Sequence, residues 1–157
     1  MTNFILQFFT MNGKVINDSK AYFDSGFGCA ESVLKAVADY SGIQSDLIPR
    51  IATGFNGGLS NTDGYCGAVT GAILAINIAY GRDHSHQSRD KNYEAVQEFI
   101  KRFREKFGAI SCRGLTGVDL GSEEGQHRYA ILYTHSKCSE FVGEATRMVL
   151  EITENNT

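Results

Sequence analysis

Cys29, Cys66, Cys112 and Cys138 are the residues of this chain whose types and placement suggest chemistry. No two share a CxxC, so only folding can bring them together. Cys29, Cys66 and Cys138 are each expected within a turn of a helix start. Unpaired N–H groups and a partial positive charge there favour thiolate over thiol. Thiolate is the form that binds metal, attacks disulfides and holds iron–sulfur clusters. Cys66 opens the run Cys66-Gly67-Ala68-Val69-Thr70-Gly71, where a glycine-rich loop meets an apolar helix. Gly28 and Ala30 flank Cys29, and Gly67 and Ala68 follow Cys66. Such small neighbours leave room for a bulky group and leave backbone N–H groups free to donate to sulfur, which tunes thiol pKa and cluster potential. An isolated cysteine more often packs as a small hydrophobe. The shared placement of these four argues against that.

Other motifs are poorer. Gly26-Phe27-Gly28 resembles the start of a dinucleotide fingerprint, but Glu31 stands where the third glycine belongs and no strand precedes it. The glycine-rich run from Gly54 to Gly64 lacks the Gly-Lys-Ser/Thr ending of a P-loop. His84 and His86 fall in a polar loop and His127 on a helix surface. His135 lies three residues before Cys138, near enough to serve as its base or as a fellow ligand, though a surface or capping histidine is the plainer reading. No His-Glu-x-x-His or clustered carboxylate pair suggests a catalytic zinc or a glycosidase.

The elements that must position the cysteines are helices. A short first helix is expected over 17–25, with 1–16 as an N-terminal extension that is frayed or weakly docked; Met11 could serve as the start as well as Met1. A second is expected over 29–40, with Val33, Val37 and Tyr40 on one face and Gly42 as terminator. Ser45 reads as an N-cap, with Pro49 near the first turn of a short helix to Thr53. The glycines of 54–64 favour tight turns. From Cys66 to Tyr80 the residues are apolar on nearly all sides, as in a central buried helix, and Gly67 and Gly71 would let another backbone approach. Residues 88–107 form the longest helix, with a seam of Tyr93, Val96, Ile100, Phe103 and Phe107 and a stop at Gly108. Cys112 is expected in the following loop. Ser122 starts another helix, to about Tyr133. The last covers about 137–152, with Cys138 in its first turn and Phe141, Ala145, Met148 and Ile152 on one face. No alternating β-branched runs, repeat or dividing linker interrupts this pattern. The fold class is therefore all-α, a compact bundle of about six or seven helices, with 17–157 as a single four-cysteine domain.

Composition agrees. The chain has 157 residues, 42% of them hydrophobic and 21% charged, enough for one core. A net charge of −3 gives no electrostatic case for nucleic acid. The basic stretch Lys101 to Lys106 reads as a solvated helix face, with Glu98 and Arg102 spaced for pairing. No segment approaches the roughly 18 apolar residues of a membrane span. With no export signal evident, the expected compartment is the reducing cytoplasm, where lone cysteines serve as metal ligands or redox thiols more often than as structural disulfides. The Tyr and Phe content would serve a homodimer interface as well as a core.

The order of one lone cysteine, then Cys-Gly-Ala-x-x-Gly, then two more lone cysteines resembles the C-GCAxxG-C-C family, named for redox activity. Gly28-Cys29-Ala30 matches its first cysteine and Cys66 to Gly71 its central motif in full. Cys112, with Arg113-Gly114-Leu115 and Gly117-Val118-Asp119-Leu120 after it, resembles the third, and Cys138 the fourth. The likeness runs from about Phe23 to Leu150. It implies an all-helical fold and a redox or metal role. The family is also similar to the C-terminal domain of a split-Soret c-type cytochrome, whose four cysteines are associated with a [2Fe–2S] cluster. That implies Cys29, Cys66, Cys112 and Cys138 as ligands and Gly67 and Gly71 beside the bound group. No Cys-x-x-Cys-His is present, so covalent haem is not expected.

Three expectations stand together. The first is an iron–sulfur cluster for electron transfer or redox sensing, which requires a redox partner protein. The second is metal-free thiol–disulfide chemistry, an oxidoreductase with Cys66 attacking and Cys29 as its partner. Cys66 is chosen for an accessible, glycine-rich helix end, and Arg113 or His135 would lower its pKa if brought near. The third is a structural Cys₄ zinc site, although the paired knuckles usual for zinc are absent.

Overall fold

Helical periodicity carries through to the structure, a computed structural model that describes the backbone of residues 2–132 and 134–154 and side chains from Met11 onward. Met1 and Tyr133, named above as a start and as a helix end, lie outside the described residues. Those residues form α1 (Thr2–Asp24), α2 (Cys29–Tyr40), a 3₁₀ helix (Arg50–Phe55), α3 (Asn56–Asn61), α4 (Gly67–Tyr80), α5 (Asp90–Phe107), α6 (Cys112–Thr116), α7 (Glu123–Ile131) and α8 (Thr134–Glu154). One isolated antiparallel bridge, Tyr65 with Ser111, is the only β pairing among them. The all-α expectation holds, with eight α-helical segments among the described residues in place of six or seven, α3 being a left-handed turn rather than a regular helix. No described helix is long and apolar enough to cross a membrane.

The core forms where α2, α4, α5 and α8 meet. It holds Val33 and Val37 from α2, Val69, Ala72 and Ile76 from α4, Phe99 and Phe103 from α5, and Val142, Ala145 and Val149 from α8. α4 is apolar around most of its girth because neighbours cover most of it. Its glycines set the closest helix contact. A Cβ on Gly71 would stand 2.6 Å from the Ala30 carbonyl oxygen, and one on Gly67 would stand 2.9 Å from Cys29 Cβ. The backbone expected to approach these glycines is therefore the first turn of α2.

Several boundaries differ from expectation. The first helix begins at Thr2, not 17, and part of the expected extension is docked: Val15 packs with Ala36 and Leu150, and Asn12 donates to Glu154 at 3.1 Å. Ser45 caps only a turn, accepting from the Leu47 N–H at 3.2 Å, and the helix after it is 3₁₀. On α5 the buried line is Ala95, Phe99 and Phe103. Val96 and Ile100 border the core, while Tyr93 is 50% exposed. The inward line is set by aromatic packing: Phe103 lies 4.8 Å from Phe107, and Phe107 lies 4.9 Å from Phe141, between ring centroids. Gly108 ends α5 in the left-handed conformation, as expected. Glu98 and Arg102 pair at 2.6 Å.

Candidate functional site

Each cysteine is held by a local device. Cys29 is the first residue of α2, whose free N–H groups are met from a distance. Asn56 Oδ1 accepts from the Ala30 N–H at 2.9 Å, and Glu31 accepts from the Gly28 N–H at 2.8 Å and from the Thr53 hydroxyl at 2.6 Å. Glycine is required at 28, because a Cβ there would fall 2.0 Å from Asn56 Cγ. The loop at 53–56 is thus stitched onto the helix that carries the first cysteine.

After Asn56 the chain makes a left-handed turn. Gly57, Gly58, Leu59 and Ser60 all have positive φ, between 57° and 70°. For Leu59 and Ser60 that conformation costs about 1–2 kcal/mol each. The turn is held by Ser60 Oγ donating to Gly54 O (2.9 Å) and by the Gly64 N–H donating to Gly58 O (3.0 Å). Gly58 lies against Cys112, where a Cβ would come within 2.6 Å of Cys112 Cβ. The chain then pairs with the segment after α5: the Cys66 N–H donates to Ile110 O (2.8 Å) and the Cys112 N–H to Gly64 O (3.0 Å). This bridge sets Cys66 and Cys112 on neighbouring strands of chain. Cys66 then caps α4 through its backbone, its carbonyl accepting from the Val69 N–H at 2.9 Å and from the Thr70 N–H at 3.0 Å. Cys112 begins the short helix α6, not a loop, with the Ser111 hydroxyl accepting from the Gly114 N–H at 3.1 Å. Cys138 is the fifth residue of α8, past the first turn, because that helix starts earlier than expected.

These devices bring all four sulfurs to the wall of one cavity of about 280 Å³, which Phe23, Asn56, Gly58, Thr116, Leu120 and Tyr129 help to line. Cys66, Cys112 and Cys138 are buried and Cys29 is partly exposed. Among the described residues, no Lys, Arg or His lines the cavity. Among the described residues, no group of three or more His, Cys, Asp or Glu side chains could hold a metal ion as it stands. The sulfurs border a shared volume instead.

The electrostatics divide the four. Burial pushes the Cys66 thiol up to about 12, against the pull of the nearby Ala68 and Val69 backbone N–H groups, and pushes the Cys112 thiol up to about 11. The Cys29 thiol is raised by the neighbouring Cys138 sulfur, with burial adding to the effect. Among the four, Cys138 alone is lowered, by the Cys29 and Tyr129 side chains beside it; burial works against them. Cys138 is therefore the sulfur that first carries charge.

The structure brings some of the expected residues to the cavity and not others. Cys66 is 5% exposed, so the accessible end expected there is not found. Neither cation proposed to activate it is free to do so. Arg113 is paired with Asp63 and Asp119, and His135 is stacked on Phe23 and bonded to Asp24 at 3.0 Å. Gly67 lines the cavity, but Gly71 does not; its place is the contact with α2. Asn56 and Tyr129 were not singled out. Asn56 stands in the glycine-rich run and could have been suspected as a cap, whereas nothing local marks Tyr129.

A family model described as "Putative redox-active protein (C_GCAxxG_C_C)" matches residues 27–152. The match covers most of the chain and all four cysteines, and the chain belongs to that family. No curated protein and no solved structure matches it.

Proposed function

We propose that the four-cysteine cavity is a redox centre in which Cys29, Cys66, Cys112 and Cys138 ligate an iron–sulfur cluster, of the [2Fe–2S] type, for electron transfer or redox sensing. The observation that carries this reading is the convergence of four sulfurs on one cavity. The donor set fits, because soft thiolates select iron–sulfur clusters, zinc and copper(I). A volume between the sulfurs, rather than a single point, suits a bridged cluster better than a closed zinc site. The charge balance fits too. Three thiols resist ionisation in a cavity without basic side chains, and a polycationic metal core is the kind of partner that would take them as thiolates. A bound cluster would supply one-electron chemistry. The chain's own part is to hold four sulfurs, to exclude water with Phe23 and Leu120, and to set the Ala68 and Val69 N–H groups near Cys66. The test is the absorption spectrum of oxygen-free, reconstituted protein with iron, sulfide and zinc analysis. Visible absorption with matched iron and sulfide is expected; a colourless protein without either would sink the proposal.

A second reading is favoured by Cys29 and Cys138 sharing the cavity wall with their thiols shifted in opposite directions, Cys29 up and Cys138 down. In a metal-free protein Cys138, not Cys66, would be the attacking thiolate. It would open a partner's disulfide to a mixed disulfide and release one partner thiolate. Cys29 would then resolve it, forming Cys29–Cys138 and passing its proton and the second sulfur to the partner. Mass mapping after mild oxidation would return that linkage; any other pairing contradicts this reading.

A further inference from the structure

We propose that Arg113 is a positioning residue that clasps the outer wall of the four-cysteine cavity and so sets how readily a reactant reaches the sulfurs; this rests on the reading that the cavity is the redox centre. Two stretches of irregular chain build that wall. Gly57, Gly58 and Asn61 come from the left-handed turn, and Leu120 comes from the segment between α6 and α7. Asn61 lines the cavity and is itself exposed, so this wall divides the sulfurs from solvent. The two stretches meet closely. A Cβ on Gly121 would stand 2.9 Å from the Asn61 carbonyl oxygen, and one on Gly57 would stand 3.8 Å from Leu120 Cδ1. Arg113 joins them. Its Nε lies 3.3 Å from Asp63 Oδ2, at the end of the first stretch, and its Nη2 pairs with Asp119 Oδ2 in the second.

The residue type suits the task. A guanidinium presents its donors in a rigid fork and serves two carboxylates at once, where a lysine ammonium acts as a single point charge. All three side chains are nearly half exposed: 48% for Arg113, 44% for Asp63 and 43% for Asp119. Exposed ion pairs add little to global stability. Parting of two loops is a smaller event, and one exposed pair shifts such an equilibrium by up to about fivefold. The first stretch also starts from a costly conformation, because Leu59 and Ser60 hold positive φ, so releasing it relieves strain. The sulfurs behind the wall are the hidden ones: Cys66, Cys112 and Cys138 are 5%, 9% and 6% exposed. A weak clasp at the surface therefore governs access to a buried site.

Access is read in the metal-free, reduced protein as the rate at which a bulky maleimide modifies Cys66, Cys112 and Cys138, mapped by mass spectrometry. Arg113→Met removes the charge and keeps the length of the side chain. Arg104→Met, at an exposed residue of α5, is the control. Arg113→Met is expected to raise the rate several-fold over the control, up to about thirtyfold for loss of both pairs. Asp119→Asn keeps the acceptor for the Gly121 N–H, removes one pair, and is expected to raise the rate up to about fivefold. Rates equal to the control overturn the inference. Urea below the unfolding transition separates a clasp from a general loss of stability. Modification through parted loops changes little with urea, whereas modification through unfolding follows the full unfolding slope. A rise that carries the full slope marks a merely structural role and overturns the inference. If Arg113→Met does not fold, Asp119→Asn decides by the same two criteria. Iron and sulfide uptake by wild type, measured separately, decides the cluster reading, while the clasp stands or falls on the metal-free rates.

Discussion

A thiol stripped of water and given no cation resists ionisation; Cys66 and Cys112 are in that position, and Cys29 is raised first by the neighbouring Cys138 sulfur and then by burial. The consequence for stability has a definite sign. The folded-state values of Cys66 and Cys112 are raised from 9.0 to about 12 and about 11. Their contribution is whole below about pH 9 and disappears as the pH climbs through those values. Urea midpoints of metal-free protein should therefore fall from about pH 9 to about pH 12, and Cys66→Ala should flatten the fall. A midpoint independent of pH there would show that the thiols are not desolvated. The same protonation predicts that loading a thiophilic metal near neutral pH expels protons from these three thiols, measurable as acid release in weak buffer. Uptake without proton release would contradict it. At this scale the cysteine order is legible in the sequence because the motif is local. The sulfur that ionises first is not, because the lowering at Cys138 comes from Cys29 and Tyr129, which only folding brings to it.

Helix α4 places its first residues against α2 with no room for a methyl group. Gly71→Ala would force a Cβ to within 2.6 Å of the Ala30 carbonyl oxygen and 2.7 Å of Ala30 Cα. Backbone cannot yield cheaply, so a loss of about 1–3 kcal/mol is expected in chemical denaturation. A neutral result would mean that α2 and α4 are farther apart. Asn56→Ala removes the acceptor for the first turn of α2 and should cost about 1 kcal/mol by the same measurement. It should also loosen Cys29, read as faster alkylation of that residue. Unchanged stability and alkylation would remove Asn56 from the site. The boundaries of α2 and α4 are legible in sequence, since capping and periodicity act within a few residues. The left-handed turn at 57–60 and the bridge joining Cys66 to Cys112 are not. Leu59 and Ser60 adopt positive φ against their own preference, and the bridge pairs segments far apart in the chain. The seam of α5 misleads for a related reason: Phe99 turns inward beside Phe103, which meets the Phe141 ring of α8, and Tyr93, one of five residues in the expected line, stays outside.

Across the molecule, the four cysteines come from four helices or their caps, so the cavity exists only when α2, α4, α6 and α8 are assembled. A group bound to all four sulfurs binds the folded chain alone and must stabilise it. Stripping it with a chelator should lower the melting temperature, and equal melting of loaded and stripped protein would contradict shared ligation. Family membership and the helical class were within reach of the sequence, while the meeting of the sulfurs depends on contacts made by the whole fold. The most direct test of that meeting is the iron and sulfide content per chain of four single variants, Cys29→Ala, Cys66→Ala, Cys112→Ala and Cys138→Ala, reconstituted beside wild type. A common centre requires every one of them to lose the visible absorption and the matched iron and sulfide. Any variant that loads and absorbs like wild type would show that its sulfur stands outside the centre.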